Sequence, residues 1–192
     1  MSVQVRKVEA VSVLRADNPY PAMLLIGRLD AGAGGVASFD FQSIPATYFK
    51  LILDLYLRGD TAATSVTVGV VCNNDGAAIY DSVRYNIRLT TGLTISEQLA
   101  AGNFIAGSVA AANSTASVFD AARLEIPGYA NANAFKVLLA EFSVKTAATT
   151  TNQIRGSSAG WYKSTNALSR LTITPTAGNW AQYSTARLYG VY

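Results

Sequence analysis

Eleven residues, Tyr48 to Arg58, alternate in hydropathy with a period of two. Phe49, Leu51, Leu53, Leu55 and Leu57 fall on one side. Tyr48, Lys50, Asp54, Tyr56 and Arg58 fall on the other, and Ile52 alone breaks the pattern. Successive side chains leave a strand on opposite sides, so this run predicts a long β-strand with one buried face. A helix would scatter the five apolar residues around its circumference. The same period returns down the chain. Val83, Tyr85, Ile87 and Leu89 oppose Arg84, Asn86 and Arg88; Ala122, Leu124 and Ile126 oppose Arg123 and Glu125; Leu171 and Ile173 oppose Arg170, Thr172 and Thr174.

Strands are expected at about 23–29, 36–42, 48–58, 64–72, 83–90, 121–126, 134–145, 168–174 and 185–191. Turn signals separate them, among them Ala31-Gly32-Ala33-Gly34-Gly35, Arg58-Gly59-Asp60, Asn74-Asp75-Gly76, Pro127-Gly128, Arg155-Gly156-Ser157-Ser158 and Ala177-Gly178-Asn179. Strands at this spacing predict an all-β antiparallel sandwich or barrel. Helical signal is thin: Thr94 and Glu97 form a capping box ahead of Gln98-Leu99-Ala100-Ala101, enough for one or two turns ended by Gly102. Residues 100–118 read as a long loop with a short strand near Phe104-Ile105. A faint echo links Ile44-Pro45 before Tyr48 with Ile126-Pro127 before Tyr129.

Length and composition allow one domain, residues 21–192, since sandwiches of this size bury enough surface to fold without disulfides or metal. Residues 1–20 differ in character. Val3, Val5, Val11 and Val13 are spaced by two, and Asn18-Pro19-Tyr20-Pro21 stops any regular element. They predict an extended N-terminal arm that pairs with a sheet edge, its own or a neighbour's. Only 14% of residues are charged, against about 25% in ordinary soluble domains. That balance predicts a surface that contacts other protein. The net charge of +3, with no basic run longer than Arg6-Lys7, does not point to nucleic acid. No apolar run approaches the ~18 residues of a membrane helix, and Arg6, Lys7 and Glu9 interrupt the start of the chain, so synthesis in a cytoplasm is expected.

Chemistry is sparse in this sequence. It has no histidine, the commonest general base and metal ligand. Its one cysteine, Cys72, follows Val66, Val68 and Val70 in step and reads as a small buried side chain. Most acids adjoin turns or sit on polar strand faces, as Asp17, Asp30, Asp60, Asp75 and Asp81 or Asp54 and Glu125 do. Two of them at a set separation would suffice for a glycosidase. Asn73-Asn74-Asp75-Gly76 offers oxygen ligands for calcium, yet Asp and Gly also suit a tight turn, and it lacks the spaced acids of a calcium loop. The expectation is therefore no enzyme, no metal and no cofactor. Trp161, Tyr162 and Trp180 are the candidates for exposed aromatic binding, to protein or to sugar.

Two blocks carry a family likeness. One is Phe41-Gln42-Ser43-Ile44-Pro45-Ala46-Thr47-Tyr48-Phe49-Lys50-Leu51. The other runs from Leu171-Thr172-Ile173 through Gly178-Asn179-Trp180 to Ala186-Arg187-Leu188-Tyr189-Gly190-Val191. With Asn73-Asn74-Asp75-Gly76 and Glu125-Ile126-Pro127-Gly128-Tyr129 between them, the chain from about 40 to 192 resembles small β-sandwich virion proteins of tailed bacteriophages. It departs from them at Trp180, where Phe is expected. The resemblance implies a jelly-roll-like sandwich serving in capsid decoration, a head fibre or a tail tip. The expected role is a capsid decoration (cement) protein on the virion surface, a homo-oligomer with a trimer favoured, its partner the major capsid protein. Val3, Val5, Val11, Val13 and Tyr20 are then the expected capsid contacts. The alternative is a tail fibre or spike module that recognises host surface glycan.

Overall fold

A computed structural model describes residues 22–88, 91–146 and 153–192. The twelve strands among them are β1 (Met23–Asp30), β2 (Phe39–Phe41), β3 (Lys50–Leu57), β4 (Ser65–Cys72), β5 (Tyr80–Arg88), β6 (Gly92–Ala101), β7 (Phe104–Ala110), β8 (Asp120–Pro127), β9 (Lys136–Lys145), β10 (Gln153–Tyr162), β11 (Leu171–Pro175) and β12 (Thr185–Val191). They form two antiparallel sheets, an eight-stranded one ordered β1-β12-β3-β8-β9-β10-β5-β6 and a four-stranded one ordered β2-β11-β4-β7. The protein is an all-β sandwich.

Setting aside the β5–β6 and β9–β10 hairpins leaves two four-stranded sheets, β1-β12-β3-β8 and β2-β11-β4-β7. Eight strands that alternate between two sheets in this order are a jelly roll. Both hairpins are additions to it, and both extend the same sheet. The large sheet therefore reaches past the last strand of the small one.

The alternation in β3 predicts its packing well. Leu51, Leu53, Leu55 and Leu57 are all buried, and they meet Val66, Val68 and Val70 of β4 and Leu171 and Ile173 of β11 in one core. Phe49 departs from the pattern. It precedes the strand and is 70% exposed, while its backbone ties Gly128 to Val191. The sequence echo has a physical counterpart, because β3 and β8 are neighbours and the Tyr129 hydroxyl sits between the Pro45 carbonyl, to which it donates, and the Tyr48 N–H, from which it accepts.

Three expectations fail. The capping box at Thr94 and Glu97 opens no helix: residues 92–101 are β6, drawn into the sheet by pairing with β5. The short strand expected near Phe104-Ile105, within a loop at 100–118, is longer and runs from Phe104 to Ala110. Only the remainder loops, pinned by Arg58, whose guanidinium donates to the carbonyls of Thr115 (2.8 Å), Val118 (2.7 Å) and Ala112 (3.3 Å). The Gly156-Ser157-Ser158 turn is the middle of β10. In each case pairing with neighbours overrides local propensity. The turn after β4 also centres one residue early, on Asn73 and Asn74 at φ 53° and 56°, with the Asp75 N–H returning to the Cys72 carbonyl at 2.9 Å. Asn tolerates the left-handed conformation well enough to take both places.

Candidate interaction face

The two added hairpins widen the large sheet, and its outward face splits into a charged half and an apolar half. One cross-strand row runs in register through all eight strands: Arg28, Arg187, Asp54, Arg123, Glu141, Ser157, Tyr85 and Ile95. At the β3–β8 step Arg123 grips both oxygens of Asp54, at 2.6 and 3.0 Å. Glu141 lies 4.0 Å from Arg155. These residues line a shallow recess of about 400 Å³. Asp54 and Glu141 stand there with β8 between them, so roughly 10 Å apart at the backbone. Both oxygens of Asp54 are taken up by the arginine, so this carboxylate is paired and not free.

Toward β5 and β6 the face turns apolar. Val83, Tyr85 and Ile87 of β5, Leu93 and Ile95 of β6, Leu139 of β9 and Trp161 of β10 all point outward and are 44–66% exposed. They are contiguous, since Leu139 faces Ala159, Ala159 faces Val83, Tyr85 faces Ile95 and Ile87 faces Leu93. A period of two in this stretch predicts one buried face, and the structure assigns the apolar residues to the outside. The reason is the short second layer. The small sheet ends at β7, so no strand among the described residues covers the inner side of β6, and the inner side of this hairpin carries Arg84, Asn86, Arg88, Thr94, Ser96 and Gln98 instead. Contiguous exposed patches of this kind mark interaction surfaces. On the small sheet the outward face is polar and tied down. Burial pushes the Asp40 carboxyl up, but hydrogen bonds from Arg170, Gln42 and Thr172 hold it below the usual carboxylate range.

Of the aromatics expected to bind, only Trp161 is exposed. Residues of β10 alternate, so Trp161 points out beside Asp81, while Tyr162 points in and is 1% exposed, its ring stacked on Tyr80 at 5.2 Å. Trp180 is fully buried and donates from Nε1 to the Ile173 carbonyl at 3.1 Å. Tyr162 and Trp180 are core residues, a correction to the sequence reading. Reading Gly156-Ser157-Ser158 as a turn hid the parity of β10 that would have told Trp161 from Tyr162. Val3, Val5, Val11, Val13 and Tyr20 lie outside the described residues.

Cys72 is buried as expected, and burial pushes its thiol up to about 12. Thiolate is the reactive form. A maleimide or disulfide reagent is therefore expected to leave Cys72 unlabelled in the native protein and to label it in urea; rapid native labelling would contradict this packing. Asn73, considered above as a calcium ligand, spends its side-chain oxygen on the Ser169 N–H (2.8 Å) and Arg170 N–H (3.2 Å), and its amide on the Ala167 carbonyl (3.0 Å). Its work is to fasten the turn to the segment entering β11. Among the described residues no three His, Cys, Asp or Glu side chains gather as a metal site would require.

The fold and this face define a jelly-roll sandwich enlarged along one sheet and apolar at the enlarged end. No protein-family model, curated protein or solved structure matches the chain.

Proposed function

We propose that this protein is an attachment protein of a virion, in the first place a capsid decoration protein, and that it adheres through the outer face of its large sheet. The observation that carries the reading is the apolar patch on strands added to an otherwise complete jelly roll. Fold alone fixes no role, so the weight falls on the surface the additions bring. Burying that patch is worth about 25 cal/mol per Å², and a homo-oligomer, with three copies favoured, would multiply it by touching several shell subunits at once. The charged row beside the patch would set orientation more than affinity. The sequence resemblance to phage virion proteins supplies the partner, the major capsid protein.

A second reading, host glycan recognition, rests on Trp161. Its exposed ring lies across from Asp81, whose carboxylate is fixed by Lys163 Nζ at 2.9 Å and the Ala100 N–H at 2.8 Å. An indole face beside a held carboxylate suits a sugar ring.

The test is the double variant Ile87→Lys, Ile95→Lys. Both side chains are exposed, so the thermal midpoint is expected to stay within a degree or two, while rebinding to stripped capsids falls by at least about a hundredfold, as loss of two central anchors requires. Rebinding equal to wild type would remove the outer face as the attachment surface. Cryo-electron microscopy of the particle separates the two readings. Density repeating with the icosahedral lattice supports decoration, and density confined to the tail end rules it out.

A further inference from the structure

The other side and the edge of the same hairpin hold a second feature that outer-face attachment does not use. β6 is the last strand of the large sheet, and among the described residues it pairs only with β5. Its ten residues contain neither Lys nor Pro, the side chains that ordinarily blunt a long edge. Its one interruption is a bulge near its end, where Asp81 accepts from the Ala100 N–H. An edge left open in this way presents a row of backbone donors and acceptors to an incoming strand.

The inner face says which strand. Arg84 is half-buried there and makes no hydrogen bond or ion pair among the described residues. Directly opposite it stand Ser158 on β10 and Ser96 on β6. Ser158 is 1% exposed and its hydroxyl has no partner among the described residues, and the buried Gln98 side-chain oxygen one row along has none there either. Arg88 adds a second positive charge to this face. The acids of these strands, Asp81 and Glu97, both point the other way, Glu97 lying opposite Val83 and Asp81 opposite Trp161. A guanidinium has five donors and no acceptor, and it pairs best with a carboxylate. Burial without that partner is costly.

The geometry points to β6 as the docking edge for an extended segment of a partner protein whose residues alternate acidic and apolar. Such a segment lies about 4.8 Å beyond β6, with its acidic residues on the inner side. There the short Ser96 and Thr94 leave the way open to Arg84. Its apolar residues then continue the outer row of Leu93 and Ile95. A second copy of this chain fits less well. Opposed residues on paired strands share a face, so a β6–β6 pair would bring Glu97 to the apolar side and leave both Arg84 side chains without a carboxylate.

The experiment uses the full chain, isotope-labelled, with two short synthetic peptides, one alternating glutamate and valine and one alternating lysine and valine. The glutamate peptide is expected to bind, to shift the amide signals of residues 92–101, and to bind more weakly as salt rises. Arg84→Gln should weaken it about tenfold or more, as loss of a charged hydrogen bond does. Arg84→Glu should transfer the preference to the lysine peptide, a gain that misfolding cannot mimic. Equal binding of the two peptides by the wild type overturns the proposal, as does unchanged affinity in Arg84→Gln. A concentration-dependent dimer that the glutamate peptide fails to dissociate overturns it in favour of a second copy.

Discussion

Gly107→Ala is expected to be among the most damaging single methyl additions in the described structure. Gly107 sits in β7 at φ +148°, beside the point where the β4–β7 register slips, and a Cβ there would lie 2.4 Å from Phe142 Cγ and 2.5 Å from Cδ1. The far end of the same ring abuts Gly156 of β10, where a Cβ would come within 2.5 Å of Phe142 Cζ. Phe142 is thus held between two glycines, one from each sheet, and this lets β7 close down over β9 and β10. Overpacking costs about 1–3 kcal/mol, and an L-residue at this φ costs a similar amount. The sum of about 4 kcal/mol would lower the thermal midpoint of a chain this long by roughly 8–16 °C. Adding Phe142→Leu should not rescue the variant, because leucine keeps a Cγ and a Cδ1 where the added methyl strikes. A midpoint within a degree of wild type for Gly107→Ala would show that β7 does not pack as described.

Lys136→Met is expected to be nearly as costly, for the opposite reason. Lys136 is fully buried at the start of β9, and its ammonium donates to the carbonyls of Asn131 and Ala134 (both 2.6 Å), Thr165 (3.2 Å) and Ser164 (3.4 Å). No carboxylate is among these partners. The cage holds the loop before β9 to the loop after β10, at the end of the added strands near Trp161. Methionine fills the space of the stem and leaves the carbonyls facing each other unsatisfied, a loss of about 3 kcal/mol. Lys136→Arg should not rescue it, because a planar fork cannot point at oxygens that converge on one spot as a rotating ammonium can. Urea unfolding followed by tryptophan fluorescence measures both; full stability in the arginine variant would contradict the cage.

Much of the jelly roll is legible in the chain because its strands alternate in a way only a half-buried sheet rewards. In β3, β4, β8, β11 and β12 most apolar positions are the buried ones. β6 and β10 were hidden for separate reasons. Thr94, Glu97 and the alanines after Leu99 satisfy a helix start locally, and the glycines and serines of β10 look like a turn until Phe142 is known to need space above Gly156. The candidate face was the least legible part. Trp161 and Tyr162 are adjacent in sequence and opposite in fate, and nothing but the strand's parity in the sheet separates them.

By itself, then, the sequence determined that this chain folds into strands, where most of them run, and that Cys72 is core. That the apolar side of β5 and β6 faces away from the small sheet was decided only in three dimensions. Alternation defines two faces without saying which has a neighbour. The small sheet stops at β7, one layer short of the last hairpin, and that end point is a property of the assembled sheets that no local run of residues encodes.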